Sequence, residues 1–344
     1  MRISPAFKPK WALELLYPLY ADVRRMRKAL PDTSQDTNSP QNGELDKNYP
    51  YTPNIIGHIR GLVDEEFANR RAEGKKQAPP IVAFRTSKGG VGKTTICANV
   101  GACAAAMGYK VLMIDAAPQC SLSVMYQIDV EDQELQTIKH ACFYDVPIKD
   151  LMKKVAEDSE LYLVPADQKL AEFDYLAITK PNRERILAKT LSHNAKTLCD
   201  FDIILVDCDP GTSQLNLNVL LATTDIAAVV ALDGLSLKAL EQLQGELELV
   251  NDMGVVPNYF FIANKFYPSY SHTIENLKIV KRDYGEFLMD VQIPDAVAFS
   301  RQIRPGRMNE TMPLFFHPKE AGSQAWRSIL DLTKLILRTT HVTN

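Results

Sequence analysis

Ile81-Val82-Ala83-Phe84-Arg85-Thr86-Ser87-Lys88-Gly89-Gly90-Val91-Gly92-Lys93-Thr94-Thr95 is the stretch whose reading decides the fold. It reads as a buried strand, a glycine-rich turn and the start of a helix. Gly89, Gly90 and Gly92 let the backbone turn tightly with its N–H groups inward, and the next helix adds its positive N-terminal end. Together they make a cradle for polyphosphate oxygens. Lys93 is placed to reach the β and γ phosphates. Thr94 offers a hydroxyl to Mg²⁺, which dehydrates reluctantly and takes one or two protein oxygens beside the phosphates. Val91 and Thr95 belong to the same binding set. The common pattern G-x-x-x-x-G-K-[ST] asks for glycine at position 87, where this chain has Ser87.

Downstream, strand-like and helix-like segments alternate, which predicts an α/β fold: a mainly parallel sheet with helices on both faces. Candidate strands lie near Lys110 to Asp115, Glu160 to Pro165, Ile203 to Asp207, Ile226 to Leu232, Asn258 to Ala263 and Phe287 to Ile293. The predicted helix over 92–107 is rich in small residues that allow close packing. Leu240, Leu243, Leu247 and Val250 form one apolar helix face, and Trp326, Ile329, Leu332 and Ile336 another. Ligands of open parallel sheets bind at the carboxyl ends of the strands. Two such ends carry aspartates after apolar runs, Asp115 in Val111-Leu112-Met113-Ile114-Asp115 and Asp207 in Ile203-Ile204-Leu205-Val206-Asp207.

At 344 residues the chain suggests one large domain with an appendage. We divide it into a helical segment over 1–30, a polar linker over 31–50, an amphipathic helix with a basic linker over 51–79, and a catalytic domain over 80–344. Hydrophobic content of 46% and charged content of 24% are those of a soluble globular protein. No secretion signal or membrane-length apolar run is visible, so the expectation is cytoplasmic. The six cysteines, Cys97, Cys103, Cys120, Cys142, Cys199 and Cys208, show no metal-binding spacing and read as reduced thiols. Net charge is −3, so nucleic-acid binding requires a local basic face. Arg24-Arg25-Met26-Arg27-Lys28 is one basic cluster. Residues 301–338 form another, with seven basic side chains against three acidic ones. Either could also be a solvated face.

The string Lys88-Gly89-Gly90-Val91-Gly92-Lys93-Thr94-Thr95 resembles the deviant Walker A motif of the ParA/MinD family of P-loop ATPases. The resemblance covers roughly residues 80 to 340 and implies ATP and Mg²⁺ as cofactors and an ATP-dependent homodimer in which Lys88 reaches the partner's phosphates. Val111 to Gln119 resembles the family's D-x-D-P-Q segment. In it Asp115 lies near the Mg²⁺ shell, and Ala117 stands where the family has a second aspartate that positions the attacking water. A methyl group can neither hold nor deprotonate water, so slow hydrolysis is expected. Ala117 is either a substitution that traps the ATP-bound state, which the intact flanking residues favour, or a natural variant. Asp207 is similar to the aspartate that accepts a Mg²⁺-bound water, so the implied metal set is Thr94, Asp115 and Asp207. Asp209 departs from the usual D-x-P-P and could partly offset the missing carboxylate. Asn264 and Pro294 sit where the family flanks the adenine.

The same resemblance implies sequence-independent DNA binding through Arg301, Arg304, Arg307 and Arg327, a ParB-type centromere-binding partner, no membrane, and a cytoplasmic, nucleoid-associated protein that separates plasmid or chromosome copies. Some larger plasmid ParA proteins carry an N-terminal DNA-binding region before the ATPase, where the helix from Pro53 to Arg71 with its basic linker lies, though this segment is short for a complete helix-turn-helix. The alternatives are a relative that positions a protein cargo, and a MinD-like membrane-associated ATPase, which needs a detachable basic amphipathic helix at the C-terminus. An iron–sulfur reductase would need a second cysteine to match Cys120.

Overall fold

Apolar runs wide enough to be covered on both sides build an eight-stranded sheet in the order β3-β4-β2-β5-β1-β6-β7-β8. The strands are β1 (Ile81–Arg85), β2 (Val111–Ala116), β3 (Lys153–Lys154), β4 (Leu161–Val164), β5 (Ile203–Cys208), β6 (Asp225–Ala231), β7 (Asn258–Phe266) and β8 (Leu288–Pro294). All neighbours are parallel except β3, which runs antiparallel to β4 at the edge. The computed structural model describes residues 7–16, 51–63, 65–72, 78–233, 236–302, 312–317 and 319–340. The Arg24 to Lys28 cluster and the 31–50 linker lie outside the described residues. Every strand expected from the sequence is present, and only the two-residue β3 went unforeseen.

Among the described residues, the helices of seven residues or more are α1 (Pro9–Leu16), α2 (Pro53–Val63), α3 (Glu65–Ala72), α4 (Lys93–Ala106), α5 (Ile186–His193), α6 (Gln214–Leu220), α7 (Ser236–Asp252), α8 (Ser271–Tyr284) and α9 (Gln324–Thr339). Successive strand residues point to opposite faces, so each strand feeds two cores. Val82 and Phe84 of β1, Val111 and Met113 of β2, and Ile203 and Leu205 of β5 join the core beneath α4 and α9. Ala83, Leu112, Ile114, Ile204 and Val206 join the core on the other face, with Leu187 and Leu191 of α5 and Leu215 and Val219 of α6. A third core under α7 and α8 takes Ile226, Ala228 and Val230 of β6. By the same alternation Asp115 and Asp207 point toward α4, whereas Arg85 points away from it.

The N-terminal segment is built into the first of these cores. Phe7 and Tyr51 exchange two backbone hydrogen bonds, at 2.8 and 3.1 Å. Ala12, Leu15, Leu16, Ile56 and Phe67 are buried with the small residues of α4. Arg60 is fully buried. Its Nη1 donates to the Met107 carbonyl at 2.7 Å, its Nη2 donates to the Tyr109 hydroxyl, and its guanidinium lies 4.0 Å from the Tyr109 ring and 4.9 Å from the Phe67 ring. The sequence predicts one helix from Pro53 to Arg71, and the structure has two. Arg60 and Phe67, seven residues apart and so on one side of the segment, meet around Tyr109. The apolar side of this segment is thereby packed on α4 and the core beneath it.

Helix α9 starts with Ser323, whose hydroxyl accepts from the Trp326 N–H at 3.2 Å, and Trp326 stacks on Phe315 at 4.8 Å. Trp326, Ile329, Leu332 and Ile336 are buried as a stripe, so the amphipathic face is packed and not free to detach. No helix among the described residues is long and apolar enough to cross a membrane.

The backbones of the segment and of the turn after α4 approach closely at Gly57 and Gly108. Gly108 has φ of +91°, and a Cβ there would lie 2.6 Å from the Gly57 Cα. Gly108→Ala is therefore expected to lower stability by about 2–3 kcal/mol, combining left-handed strain with displacement of α2. Urea unfolding should show the loss, and limited proteolysis should cut faster within residues 51–72. Unchanged unfolding and cleavage would mean that α2 is not held by this contact.

Candidate nucleotide site

The loop between β1 and α4 turns at two positive-φ glycines, Gly90 at +71° and Gly92 at +96°. Gly92 is doubly constrained, because a Cβ there would sit 2.4 Å from the Asn264 amide nitrogen. Gly89, by contrast, lies in open space without a positive φ. Thr86 anchors the loop's entry through its hydroxyl to the Val229 carbonyl at 2.7 Å. Lys93, the first residue of α4, folds back so that its Nζ donates to the Lys88 carbonyl at 3.1 Å. Burial lowers the Lys93 pKa, and the nearby Asp207 carboxylate opposes this.

Asp115 and Asp207 are register partners on adjacent strands, and both are fully buried. Asp115 is held by protein donors. One oxygen accepts from the Ser123 N–H at 2.9 Å and its hydroxyl at 2.8 Å, and the other from the Ala117 N–H at 3.2 Å. Neither buried oxygen of Asp207 has a hydrogen-bond donor at bonding distance and angle. Burial raises the Asp207 pKa and the Asp115 charge raises it further, while the Thr94 hydroxyl and Lys93 pull it down. A carboxylate without a donor, facing a like charge and next to a threonine hydroxyl, fits a hard divalent cation. Asp207 and Thr94 therefore suit Mg²⁺. Asp115, expected near the Mg²⁺ shell, has both oxygens bonded to the backbone and side chain of the segment that follows β2.

Other expected residues also take specific places. Lys88 pairs within its own chain with Asp233, Nζ to Oδ2 at 2.5 Å. The Asn264 side chain, expected at the base, donates from Nδ2 to the Val91 carbonyl at 2.6 Å and so braces the phosphate loop. Pro294 ends β8 in register with Phe266, close to Asn264 in β7. Ala117 is nearly buried, and its backbone is fixed at both ends, by Asp115 and by the Cys120 N–H at 2.9 Å. Arg301 is exposed just after the short helix Val297–Ser300. Arg327 lies on α9, 3.5 Å from Glu14 of α1. Arg304 and Arg307 lie outside the described residues.

The sequence reading missed Arg85, Ser123 and Asn99. Arg85 was detectable as a charge ending the apolar run Ile81 to Phe84. Asn99 lies on α4 and is fully buried, with its Nδ2 2.8 Å from Gln302 Oε1 and its Oδ1 accepting from the Phe315 N–H at 3.0 Å. It thus ties the phosphate-loop helix to both sides of residues 303–311.

A family model described as an AAA domain (AAA_31) matches residues 80–257, just over half of the chain. The chain belongs to this family and is a ParA-type P-loop ATPase. Among curated relatives, the ATPase is 31% identical over 174 residues to the sporulation initiation inhibitor protein Soj of Bacillus subtilis, a match covering 49% of this chain and 65% of Soj. It is 28% identical to the chromosome partitioning protein ParA of Caulobacter vibrioides, over 72% of this chain and 90% of that one. A solved structure of cobyrinic acid a,c-diamide synthase from Mycobacterium smegmatis, with a bound ATP analogue and magnesium, shares the fold. Its TM-score is 0.62 at 22% identity, covering 76% of this chain and 95% of that one.

Because Asn264 braces the ATPase's loop, Asn264→Ala is expected to cost about 1–2 kcal/mol, the loss of one buried hydrogen bond and an unsatisfied carbonyl. Thermal unfolding of the ligand-free protein should show a lower midpoint. An unchanged midpoint would contradict the bracing role.

Proposed function

We propose that this chain is a DNA-partitioning ATPase that binds Mg-ATP at the loop of residues 88–95, closes as a homodimer, holds DNA without sequence preference and is released by partner-stimulated hydrolysis. The observation that carries the reading is the Asp207 carboxylate. It is buried without a donor beside Thr94, directly under a loop whose backbone is shaped for phosphates. Mg²⁺ bound there would neutralise developing phosphate charge. Lys93 would leave the Lys88 carbonyl for the β and γ phosphates, and Asn264 with Pro294 would border the base. The partitioning role is supported by the likeness to ParA of Caulobacter vibrioides.

In the closed dimer Lys88 would exchange Asp233 for the phosphates of the other subunit. DNA would be held by Arg301, Arg304, Arg307 and Arg327, as a phosphate-tracking surface needs only clustered cations. The partner would be a ParB-type centromere-binding protein, and the site of action the nucleoid in the cytoplasm.

The deciding experiment measures duplex binding with ATP, with ADP and without nucleotide. Expected is ATP-dependent binding that is indifferent to sequence and falls by about 10³ or more between 50 and 200 mM salt if six or more phosphates are contacted. Lys93→Ala should abolish both this binding and ATP affinity measured by calorimetry. Equal DNA binding in all three nucleotide states would sink the partitioning reading, and unchanged ATP affinity in Lys93→Ala would sink the nucleotide site.

Ala117 sets the rate expectation. Its backbone already has the turn that Asp115 holds, so Ala117→Asp should add a water-positioning carboxylate without rebuilding the loop. Partner-stimulated turnover should rise by roughly 10²-fold or more, with ATP affinity nearly unchanged. Brisk, equal turnover in both forms would show that another group, such as Asp209, does this work.

A further inference from the structure

Arg85 ends β1 on the face opposite α4, fully buried, and all five of its N–H bonds find acceptors. Nε donates to Glu246 Oε2 at 3.0 Å, and Nη2 donates to Glu246 Oε1 at 2.5 Å and to the Gly211 carbonyl at 2.5 Å. Nη1 donates to the carbonyls of Thr86 and Asp209, both at 3.0 Å. One side chain therefore joins three parts of the molecule: the entry of the phosphate loop, the backbone that follows Asp207, and helix α7. Asn216 of α6 grips the same two carbonyls, Asp209 at 3.1 Å and Gly211 at 2.9 Å. One helical turn before Glu246, Gln242 accepts from the Ser87 hydroxyl at 2.5 Å, so α7 holds the loop's head at two points.

The clamped segment borders the chemistry. Asp209 follows the proposed magnesium ligand by two residues, and its carboxylate is close enough to Lys93 for the two charges to interact. We propose that Arg85 is a positioning residue for ATP turnover, fixing the Asp209–Gly211 backbone against the phosphate side of the site and tying it to α7 through Glu246. This rests on the ATPase reading above. A lysine could not replace it, because three donors on one nitrogen cannot span two carbonyls and a bidentate carboxylate. Arg85 hydrogen-bonds to neither the phosphate loop's glycines nor Lys93 and acts on Lys93 only through its charge, so its loss should act mainly on geometry and leave binding in place. Displacements of about 1 Å near reacting groups can cost about 10²-fold in rate.

The test uses the full chain in four forms: unmutated, Arg85→Met, Arg85→Lys, and Arg85→Met with Glu246→Met. The double variant removes both members of the ion pair, the buried Arg85 and the half-buried Glu246, so it restores folding that an unpaired Glu246 carboxylate would impair. Amide exchange over residues 208–213, calorimetric ATP affinity and single-turnover hydrolysis are measured on each. All three variants should exchange faster than the unmutated chain over 208–213 without nucleotide, bind ATP within about threefold of it, and turn over roughly 10- to 100-fold more slowly. A merely structural role predicts instead that the double variant recovers turnover along with stability, and that result would overturn the proposal. Unchanged exchange in Arg85→Met would also overturn it. If the unmutated chain binds no ATP, the nucleotide reading fails, while exchange in the ligand-free proteins still decides whether Arg85 fixes the segment.

Discussion

Two carboxylates buried side by side on neighbouring strands are the constraint around which the site is arranged. Water is excluded from both, so burial pushes both carboxyls above their ordinary range, with the Asp115 charge raising Asp207 further and the Asp209 charge adding to Asp115. The protein resolves the two differently. Asp115 is satisfied by Ser123 and the Ala117 N–H, which makes it a fastening for the segment after β2. Asp207 is left without donors, with the Lys93 and Thr94 side chains nearby. Strand alternation puts both on the α4 face, and parallel pairing puts them level.

The phosphate loop must present its N–H groups to a ligand and so cannot spend them on itself. Its shape is therefore held by side chains from outside. Asn264 from β7, the Val229 carbonyl from β6, and Gln242 and Glu246 from α7 each take one point of the segment 85–91. Lys88 rests on Asp233, so any role in another subunit requires it to give up an exposed ion pair, which is a small cost. The nucleotide site is accordingly assembled from β1, β2, β5, β6 and β7 together with α7, and not from one motif.

On the α4 side, the phosphate-loop helix also organises the periphery. Its small residues let α9 and the N-terminal helices approach closely, and Asn99 reaches Gln302 and Phe315 on either side of residues 303–311. Arg327 and Glu14 bring α9 and α1 together at the surface. The N-terminal segment reads from composition as an appendage, yet Arg60 buried between Met107, Tyr109 and Phe67 makes it part of this face.

What the sequence by itself determined is local. Apolar runs defined the strands, the glycine loop with its two lysines pointed to a phosphate-binding turn, and two aspartates ended apolar runs, because strand period, turn propensity and strand-end placement depend on near neighbours. Where Asn264, Lys88 and Arg327 spend their hydrogen bonds, that one predicted helix over 53–71 breaks in two, and that Arg85 joins β1 to α7 were decided by the tertiary structure. Those partners lie 145 to 313 residues away for Lys88, Arg85, Asn264 and Arg327. A polar side chain entering a core must find whatever acceptor the packed neighbours leave there, and only the assembled sheet brings that acceptor within reach.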